Sequence, residues 1–289
     1  MLELNPSAVV LIEEAVLLVI EYLLGEVEIA ASDISEIVGG LDNTNLIISI
    51  SLIVLLTVVS KVRNILDGPG IATAIILGTI VGVFGHWTWL VILLGFLSAG
   101  SAATNWKWEE KLAKGFAESE DGHREWSNVV ANGGVPGVIA IIAFYNQSWD
   151  SMLPIYGAAI AVAAADTFAS EFGCLDPRVR MITTMKSCEP GVNGGWSPNG
   201  QLAAFLGALI IAILTWSLGW VLQGGSTTGA IPFVAVVTLV GWLGCQIDSV
   251  LGATLENRGL IGKGQVNAIS IACGSIIAWQ LFFTLGWPA

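Results

Sequence analysis

Two aspartates stand late in segments that are otherwise apolar. Asp166 follows the small and aliphatic run of residues 157 to 165 and precedes Ser170 by one helical turn, with Glu171 beside it; Asp248 closes a second apolar segment. A carboxylate at such a position needs a cation, a hydrogen-bond donor or water, so both are candidate functional groups. Two carboxylates near basic residues suit Mg²⁺, which prefers one or two carboxylates with water and phosphate oxygens. A hydrogen-bonded helix pair and a proton-coupled transport site stay open as alternatives.

Two glycine-rich segments precede or open apolar runs. One is Asn132-Gly133-Gly134-Val135-Pro136 and the other is Pro190-Gly191-Val192-Asn193-Gly194-Gly195. Successive glycines and a proline interrupt regular helix, so free backbone N–H groups could meet an anion where a helix begins. A plain turn is the alternative for each segment. Neither is a phosphate-binding P-loop, because GxxxxGK[ST] occurs nowhere in the chain.

The elements that must position these residues are apolar segments of membrane-spanning length. Hydrophobic residues make up 54% of the 289 residues and charged residues only 12%, which predicts an all-α, polytopic integral membrane protein forming a single transmembrane domain. A bilayer core requires about 20 mostly apolar residues per helix. Nine segments qualify: approximately 8 to 25, 44 to 60, 69 to 84, 87 to 103, 129 to 146, 152 to 173, 200 to 222, 229 to 253 and 265 to 286.

The basic residues predict how these spans are oriented. All eleven Lys and Arg residues fall in the stretches after the second, fourth, sixth and eighth spans, which share one side of the membrane. The positive-inside rule places that side in the cytoplasm of a multi-pass cell-membrane protein. The first segment is interrupted by Glu13, Glu14 and Glu21. If it lies in the interface instead, eight spans remain with the same arrangement.

Composition excludes several other classes. The formal net charge is −12, which argues against a nucleic-acid partner. His86 and His123 are too few and too far apart for catalytic or metal-binding histidine schemes. The four cysteines show no CxxC spacing, so neither a disulfide framework nor a zinc site is indicated.

Several motifs together resemble the transmembrane protein 19 / phytyl-phosphate kinase family of polytopic membrane proteins. The most specific is the segment 165 to 173, Ala-Asp-Thr-Phe-Ala-Ser-Glu-Phe-Gly, where the family has Trp in place of Phe168. The other matching residues are Pro177-Arg178, Ile182-Thr183-Thr184, Pro190-Gly191, Asn193-Gly194-Gly195, Ser197, Asp248-Ser249, Leu251 to Thr254 and Val266-Asn267, and upstream Lys107, Glu109 to Lys111, Arg124, Asn132-Gly133 and Val135-Pro136. The match covers residues 68 to 275 and leaves 1–67 outside it, so the core with the site is expected in 68–286.

The resemblance implies a Mg²⁺-dependent transfer of the γ-phosphoryl group from a nucleoside triphosphate, CTP being expected, to an isoprenyl monophosphate lipid at the cytoplasmic face. It implies a site of three groups of residues: Asp166 and Asp248 as catalytic metal ligands, with Glu171 as an additional ligand or as a group that supports them; Arg124 and Lys107 as catalytic cations; and Lys111, Asn132, Gly133, Arg178, Thr183, Thr184, Lys186, Asn193, Gly194, Gly195, Thr254 and Asn267 as substrate or nucleotide contacts. A lipid-phosphate cytidylyltransferase that uses CTP and a proton-coupled transporter are the alternatives.

Overall fold

The structure, a computed structural model, describes residues 38–63, 68–116, 126–219 and 229–286. Within these ranges eight helices have the length and composition to cross a membrane: Asn43–Lys61, Gly68–Gly85, Trp87–Asn105, Trp126–Asn146, Trp149–Gly173, Pro198–Gly219, Ala230–Arg258 and Lys263–Thr284. They confirm the all-α membrane class and correspond to the second through ninth predicted spans. The first predicted span, residues 8 to 25, lies outside the described residues.

The helices are labelled in chain order: α1 (Asn43–Arg63), α2 (Gly68–Thr79), α3 (Trp87–Asn105), α4 (Trp108–Ala113), α5 (Trp126–Asn146), α6 (Trp149–Gly173), α7 (Pro198–Gly219), α8 (Ala230–Thr254) and α9 (Lys263–Thr284). A π-helical segment, Ile80–Gly85, extends α2, and a 3₁₀ turn, Glu256–Arg258, follows α8. Consecutive spans run in opposite directions, so the connections after α1, α3, α6 and α8 share one end of the bundle. The sequence puts all eleven basic residues at this end, which we call the basic end.

Helix α6 is the centre of the bundle. It packs against α3, α5, α7, α8 and α9, and its apolar residues from 158 to 165 are almost completely buried. Small residues on both sides permit this close packing: a Cβ added at Gly244 of α8 would overlap Val162, and one added at Gly241 would overlap Ala161. Short side chains of this kind let helix backbones approach where no hydrophobic effect drives them together. Helix α6 therefore holds Asp166 in a fixed place against α8.

Helix α5 corrects one prediction. Residues 132 to 136 do not open the helix: α5 already begins at Trp126, continues to Asn146 and includes Pro136 in its interior. Gly133 is a packing position, since a Cβ there would overlap Leu77 of α2. Membrane helices tolerate an internal proline because neighbouring groups can satisfy the freed backbone acceptor. The prediction that Gly133 belongs to an anion-binding loop at a helix start is therefore wrong.

The connection between α6 and α7 is a short two-stranded element. Strand β1 (Arg180–Met181) pairs antiparallel with β2 (Gly195–Trp196), with Arg180 opposite Trp196 and Met181 opposite Gly195. The glycine-rich segment 190 to 195 leads into β2, and Gly191 and Gly194 adopt φ angles of +80° and +81°. These left-handed conformations favour glycine. The second glycine-rich segment is thus a turn outside the helices, as predicted.

Candidate functional site

The two predicted aspartates meet at the basic end of the bundle. Asp166 of α6 and Asp248 of α8 both line a cavity of about 190 Å³, and their carboxyl groups lie within hydrogen-bonding reach of each other. Ser270 Oγ of α9 donates a hydrogen bond to Asp248 Oδ2 at 2.9 Å. Two carboxylates in contact repel each other unless a proton or a cation lies between them. We call this space the acid cavity.

Four chain segments complete the acid cavity. They are the glycine-rich turn 191 to 195, the start of α7, the last turns of α8 with the 3₁₀ turn, and the start of α9. The cavity lining includes Glu171, Asn193, Gly194, Gly195, Glu256, Lys263 and Asn267. The cavity is thus lined largely by polar groups and lies at the basic end of the bundle.

The glycine-rich turn is packed directly against α8. A Cβ added at Gly194 would lie 2.8 Å from the Ser249 carbonyl oxygen, one residue beyond Asp248. The Gly194 carbonyl accepts a hydrogen bond from the Ile182 N–H at 2.9 Å, and the Asn193 carbonyl accepts one from Asn257 Nδ2 at 3.1 Å. Because the backbone must pass so close to α8, only glycine fits at position 194. The turn therefore brings its backbone at Gly194 directly against α8, next to the residue that follows Asp248.

Asn132 and Asn267 connect α5 to the same site. Asn267 Nδ2 donates to Asn132 Oδ1 at 3.4 Å, and Asn132 Nδ2 donates to the Asn128 carbonyl at 3.0 Å. These side chains share a small second cavity with Asp166 and Lys263. Pro136 has no N–H for the carbonyl of Asn132, four residues earlier, so one more acceptor is released near this cavity. Of the predicted residues, the structure brings together Asp166, Asp248, Glu171, Asn132, Asn193, Gly194, Gly195 and Asn267.

Glu171 is held in an internal ion pair. Lys111 of α4, only 1% exposed, donates from Nζ to Glu171 Oε2 at 2.6 Å and to the carbonyls of Ala103 and Thr104 at 3.0 and 2.7 Å. Thr104 Oγ1 donates to Glu171 Oε1 at 2.7 Å. All three hydrogens of the Lys111 ammonium are therefore used, and none is left for the phosphate contact that the sequence predicted. Lys111 instead links α4 to the last turn of α6.

The structure does not place Glu171 in one metal-binding group with Asp166 and Asp248. In the part of the chain that the structure describes, no group of three or more His, Cys, Asp or Glu side chains is arranged to hold a metal ion. Glu171 faces Lys111 and Thr104, because a carboxylate buried beside α4 requires a cation there. Besides Glu171, the carboxylates that line the acid cavity are those of Asp166, Asp248 and Glu256, and the first two lie within hydrogen-bonding reach of each other.

The other predicted basic contacts lie away from the acid cavity. The Lys107 side chain is 51% exposed, pairs with Glu110 at 3.2 Å and lies over the Trp106 ring. Arg178 binds Asp176 through Nε and Nη2 at 2.9 and 3.0 Å and Asn199 Oδ1 at 3.1 Å. This guanidinium lowers the pKa of Asp176 to about 2. Arg178 therefore fastens the α6–α7 connection to the start of α7.

Five further predicted contacts are also placed elsewhere or not described. Thr183, Thr184 and Lys186 are exposed at the tip of the element that contains β1. Thr254 Oγ1 donates to the Val250 carbonyl of its own helix at 2.7 Å. Arg124 lies outside the described residues. Lysines and threonines that are close to the site residues in the sequence are thus not all close to the site in space.

Lys263 is the residue of greatest consequence that the site prediction missed. It lines both the acid cavity and the smaller one beside Asn132, and its charge acts on Asp248. The sequence carried a signal: Lys263 precedes Asn267 by four residues, which places both on one face of α9. Ser270, one turn further along, was missed in the same way. The sequence prediction used Lys263 only as evidence of topology.

The fold and the acid cavity define a multi-pass helical membrane protein with paired carboxylates at the basic end of its bundle. A family model described as "Integral membrane protein DUF92" matches residues 51–276. The chain therefore belongs to the DUF92 family of integral membrane proteins. The matched region contains every described segment that lines the acid cavity.

Similar proteins occur in archaea, cyanobacteria and plants. The chain is 34% identical to the uncharacterized membrane protein MJ0933 of Methanocaldococcus jannaschii, over 83% of this chain and 95% of that protein. It is 30% identical to the uncharacterized membrane protein sll0875 of a Synechocystis species, over 75% and 82%. It is 27% identical to the chloroplastic Protein VTE6 of Arabidopsis thaliana, over 77% and 67%. No solved structure matches the chain significantly.

Proposed function

We propose that this protein is a membrane-embedded prenyl-phosphate kinase. It transfers the γ-phosphoryl group of a nucleoside triphosphate, with CTP as the expected donor, to an isoprenyl monophosphate, and it requires Mg²⁺. The observation that carries the proposal is that Asp166 and Asp248 meet in a polar cavity at the basic end of the bundle. Lys263 and a glycine-rich turn line the same cavity. A lipid phosphate and a water-soluble nucleotide can meet there.

The motif resemblance supports the same reaction. The resemblance to the phytyl-phosphate kinase family rests on residues that are far apart in sequence, and several of them line one cavity: Asp166, Asn193 to Gly195, Asp248 and Asn267. Similarity to Protein VTE6 over 77% of this chain is consistent with that family. Motif residues that converge in space are better support for a shared reaction than motif residues that only follow one order.

Asp166 and Asp248 are the residues that would hold Mg²⁺. They fit the ion, because two adjacent carboxylates that share no proton repel each other without a cation and because neutral oxygen ligands, such as the Asn267 amide, lie in the same cavity. When bound, the ion supplies charge neutralisation for the polyphosphate. Ser270 keeps Asp248 oriented through its hydrogen bond of 2.9 Å.

The remaining work falls on positioning and charge. An oxygen of the lipid phosphate forms a bond to the γ-phosphorus while the bond from that phosphorus to the β–γ bridging oxygen breaks, and the nucleoside diphosphate leaves. The second pKa of a phosphate monoester is about 6, so the attacking oxygen needs little help from a base. Lys263 offsets phosphate charge, and the turn at Gly194 and the Asn132–Asn267 pair fix the two substrates.

The reaction would take place at the cytoplasmic face of the cell membrane. All eleven Lys and Arg residues belong to the basic end of the bundle, and the positive-inside rule orients such an end toward the cytoplasm. Nucleoside triphosphates are available on that side. The acidic residues of the opposite loops, such as Asp42 and Asp150, agree with this orientation.

Product analysis with two labels tests the proposal. Purified protein in detergent is incubated with an isoprenyl monophosphate, Mg²⁺ and CTP labelled at either the γ or the α phosphate. We expect γ label in the lipid and α label in released CDP. Label from the α position in the lipid would instead identify a cytidylyltransferase. No transfer from any nucleoside triphosphate to any prenyl phosphate would refute a kinase and favour the transporter alternative.

Matched variants test the site. Asp166→Asn and Asp248→Asn should each lower kcat by about 100- to 1,000-fold, as expected when one charge-stabilising group is lost. Asp150→Asn is the control, because Asp150 lies in the first turn of the same helix α6 at the opposite end of the bundle. It should keep its activity. A fully active Asp166→Asn protein would contradict the metal assignment.

A further inference from the structure

A narrow apolar cavity lies beside the acid cavity, between α1, α2, α3 and α5. Its lining includes Leu56 of α1, Ala74 and Leu77 of α2, Leu94 and Leu97 of α3, and Val129 of α5. We propose that this cavity binds the hydrocarbon chain of the prenyl phosphate. The inference rests on the proposed function and adds to it the place and orientation of the lipid substrate.

The apolar cavity leads into the site through two asparagines. Asn128 and Asn132 line the apolar cavity, and both also line the small cavity that contains Asp166 and Lys263. The Asn132 side chain is held by hydrogen bonds to α9 and to its own helix. A molecule with an apolar tail and a phosphate head could therefore place its tail among leucines and its head beside Lys263, with the asparagine amides at the junction.

The direction of the cavity agrees with a lipid that enters from the membrane. Asn128 lies in the first turn of α5 at the basic end, whereas Leu90 of the same cavity is near the start of α3 at the opposite end. Leu97 lies near the middle of α3, and from Leu97 to Leu90 the helix axis advances roughly 10 Å further from the basic end. The cavity thus extends along the membrane normal, which is the direction of a hydrocarbon chain whose phosphate is fixed at the surface.

The side chains at the mouth can move to admit the chain. The enclosed volume is only about 20 Å³, so an occupant must displace neighbouring side chains. Leu77, Leu94 and Leu97 are only partly buried, and they can rotate toward the surrounding lipid. Leucines on partly exposed helix faces lose little packing when they do so, because the alternative environment is equally apolar.

A larger apolar groove exists but does not reach the site. It lies between α7 and α8, has a volume of about 470 Å³, and is lined among others by Phe205, Ala235 and Leu239. Among the described residues, its lining shares none with the acid cavity or with the small cavity beside Asn132. A lipid tail in this groove would leave its phosphate away from Asp166. The α7–α8 groove is therefore the comparison site for the experiment.

Chain-length selectivity provides the kinetic test. Ala74→Phe fills the apolar cavity, and Leu97→Trp, at its partly exposed mouth, does so with less disturbance of buried packing. Each should raise the KM for a long prenyl phosphate by about tenfold or more, and by less for a short one. The KM for CTP should change little in comparison. Ala235→Phe, the matched filling of the α7–α8 groove, should leave the selectivity unchanged; a change there and not at Ala74 or Leu97 would overturn the proposal.

Photolabelling separates this inference from the proposed function. A prenyl phosphate with a diazirine on its tail is bound to the wild-type protein without nucleotide, cross-linked by light, and the labelled peptides are identified. Label in α2, α3 and α5 supports the proposed cavity even if no phosphoryl transfer occurs. Label in α7 and α8 from a protein that does transfer phosphate overturns the cavity and leaves the kinase intact.

Discussion

Replacing Lys111 by methionine should destabilise the protein far more than replacing the exposed Lys114, which directly follows the same helix. The Lys111 side chain is 1% exposed and its partner Glu171 is 11% exposed. Methionine keeps most of the length and removes the charge, so Glu171 keeps only its hydrogen bond from Thr104, and two backbone carbonyls lose their donor. Breaking one side of a buried ion pair costs about 3–5 kcal/mol. We expect a loss of that size.

The measurement is the free energy of unfolding in mixed micelles, titrated with a denaturing detergent. Lys114→Met is the matched control: Lys114 belongs to the same short helical region and pairs with Glu110 at 2.8 Å, but the two side chains are 48% and 40% exposed. An exposed pair contributes about 0–1 kcal/mol. The double variant Lys111→Met/Glu171→Gln should recover part of the loss, because no unpaired carboxylate remains buried.

A functional effect should accompany the loss of stability. Phe116, just after α4, lies against Gly191 of the glycine-rich turn, where an added Cβ would approach its ring at 2.8 Å. If Lys111→Met weakens the packing of α4, the glycine-rich turn should become more mobile. The KM for the nucleotide should then rise by a larger factor than kcat falls. If Lys111→Met lost less than about 1 kcal/mol, the value typical of exposed pairs, or behaved like Lys114→Met, the buried pair would not be the fastening that we describe.

Two further predictions concern the loops beside the acid cavity. Gly194→Ala should cost about 1–3 kcal/mol of local strain and raise the KM for the nucleotide, because position 194 has a φ of +81° and the added Cβ would overlap the Ser249 carbonyl. Gly259→Ala is the control, because position 259 has a φ of +69° but open space around it. It should show the strain and leave the KM for the nucleotide unchanged. Because the pKa of Asp176 is lowered to about 2 by Arg178, its stabilising effect is complete above its usual pKa of 3.8 and disappears as the pH falls through 2. Trp196 fluorescence should report this loosening below pH 4, and Arg178→Gln should shift the change to higher pH; an unshifted transition would contradict the pairing.

The sequence was sufficient for the helices and for the two aspartates. Apolar length sets where a membrane helix can form, so eight spans and their common basic end followed from hydropathy and charge alone. Asp166 and Asp248 could be singled out because a carboxylate in an apolar span is expensive wherever its partner lies. Their meeting required only that both stand at the same end of neighbouring helices.

The sequence could not show which side chains contact each other. Lys111 and Glu171 are 60 residues apart, and no periodicity shows that a lysine of a short surface helix turns inward to meet a carboxylate of α6. The prediction about Gly133 failed for a related reason. In a water-soluble protein, glycine and proline indicate the end of a helix. Helix α5 instead continues through both, because α2 packs closely on Gly133 and neighbouring groups can replace the lost backbone hydrogen bond.

The basic residues separate into groups that one count of positive charge cannot distinguish. Lys107, Lys114 and Lys186 are exposed and can orient the protein in the membrane without contacting the site. Lys111 and Arg178 are committed to carboxylates of the protein itself. Among the described basic residues, Lys263 lines the acid cavity. Topology depends on the sum of these charges, whereas the proposed phosphoryl transfer depends on the place of one. Lys263→Met should therefore lower the kcat of the proposed kinase while leaving the orientation of the spans as it is.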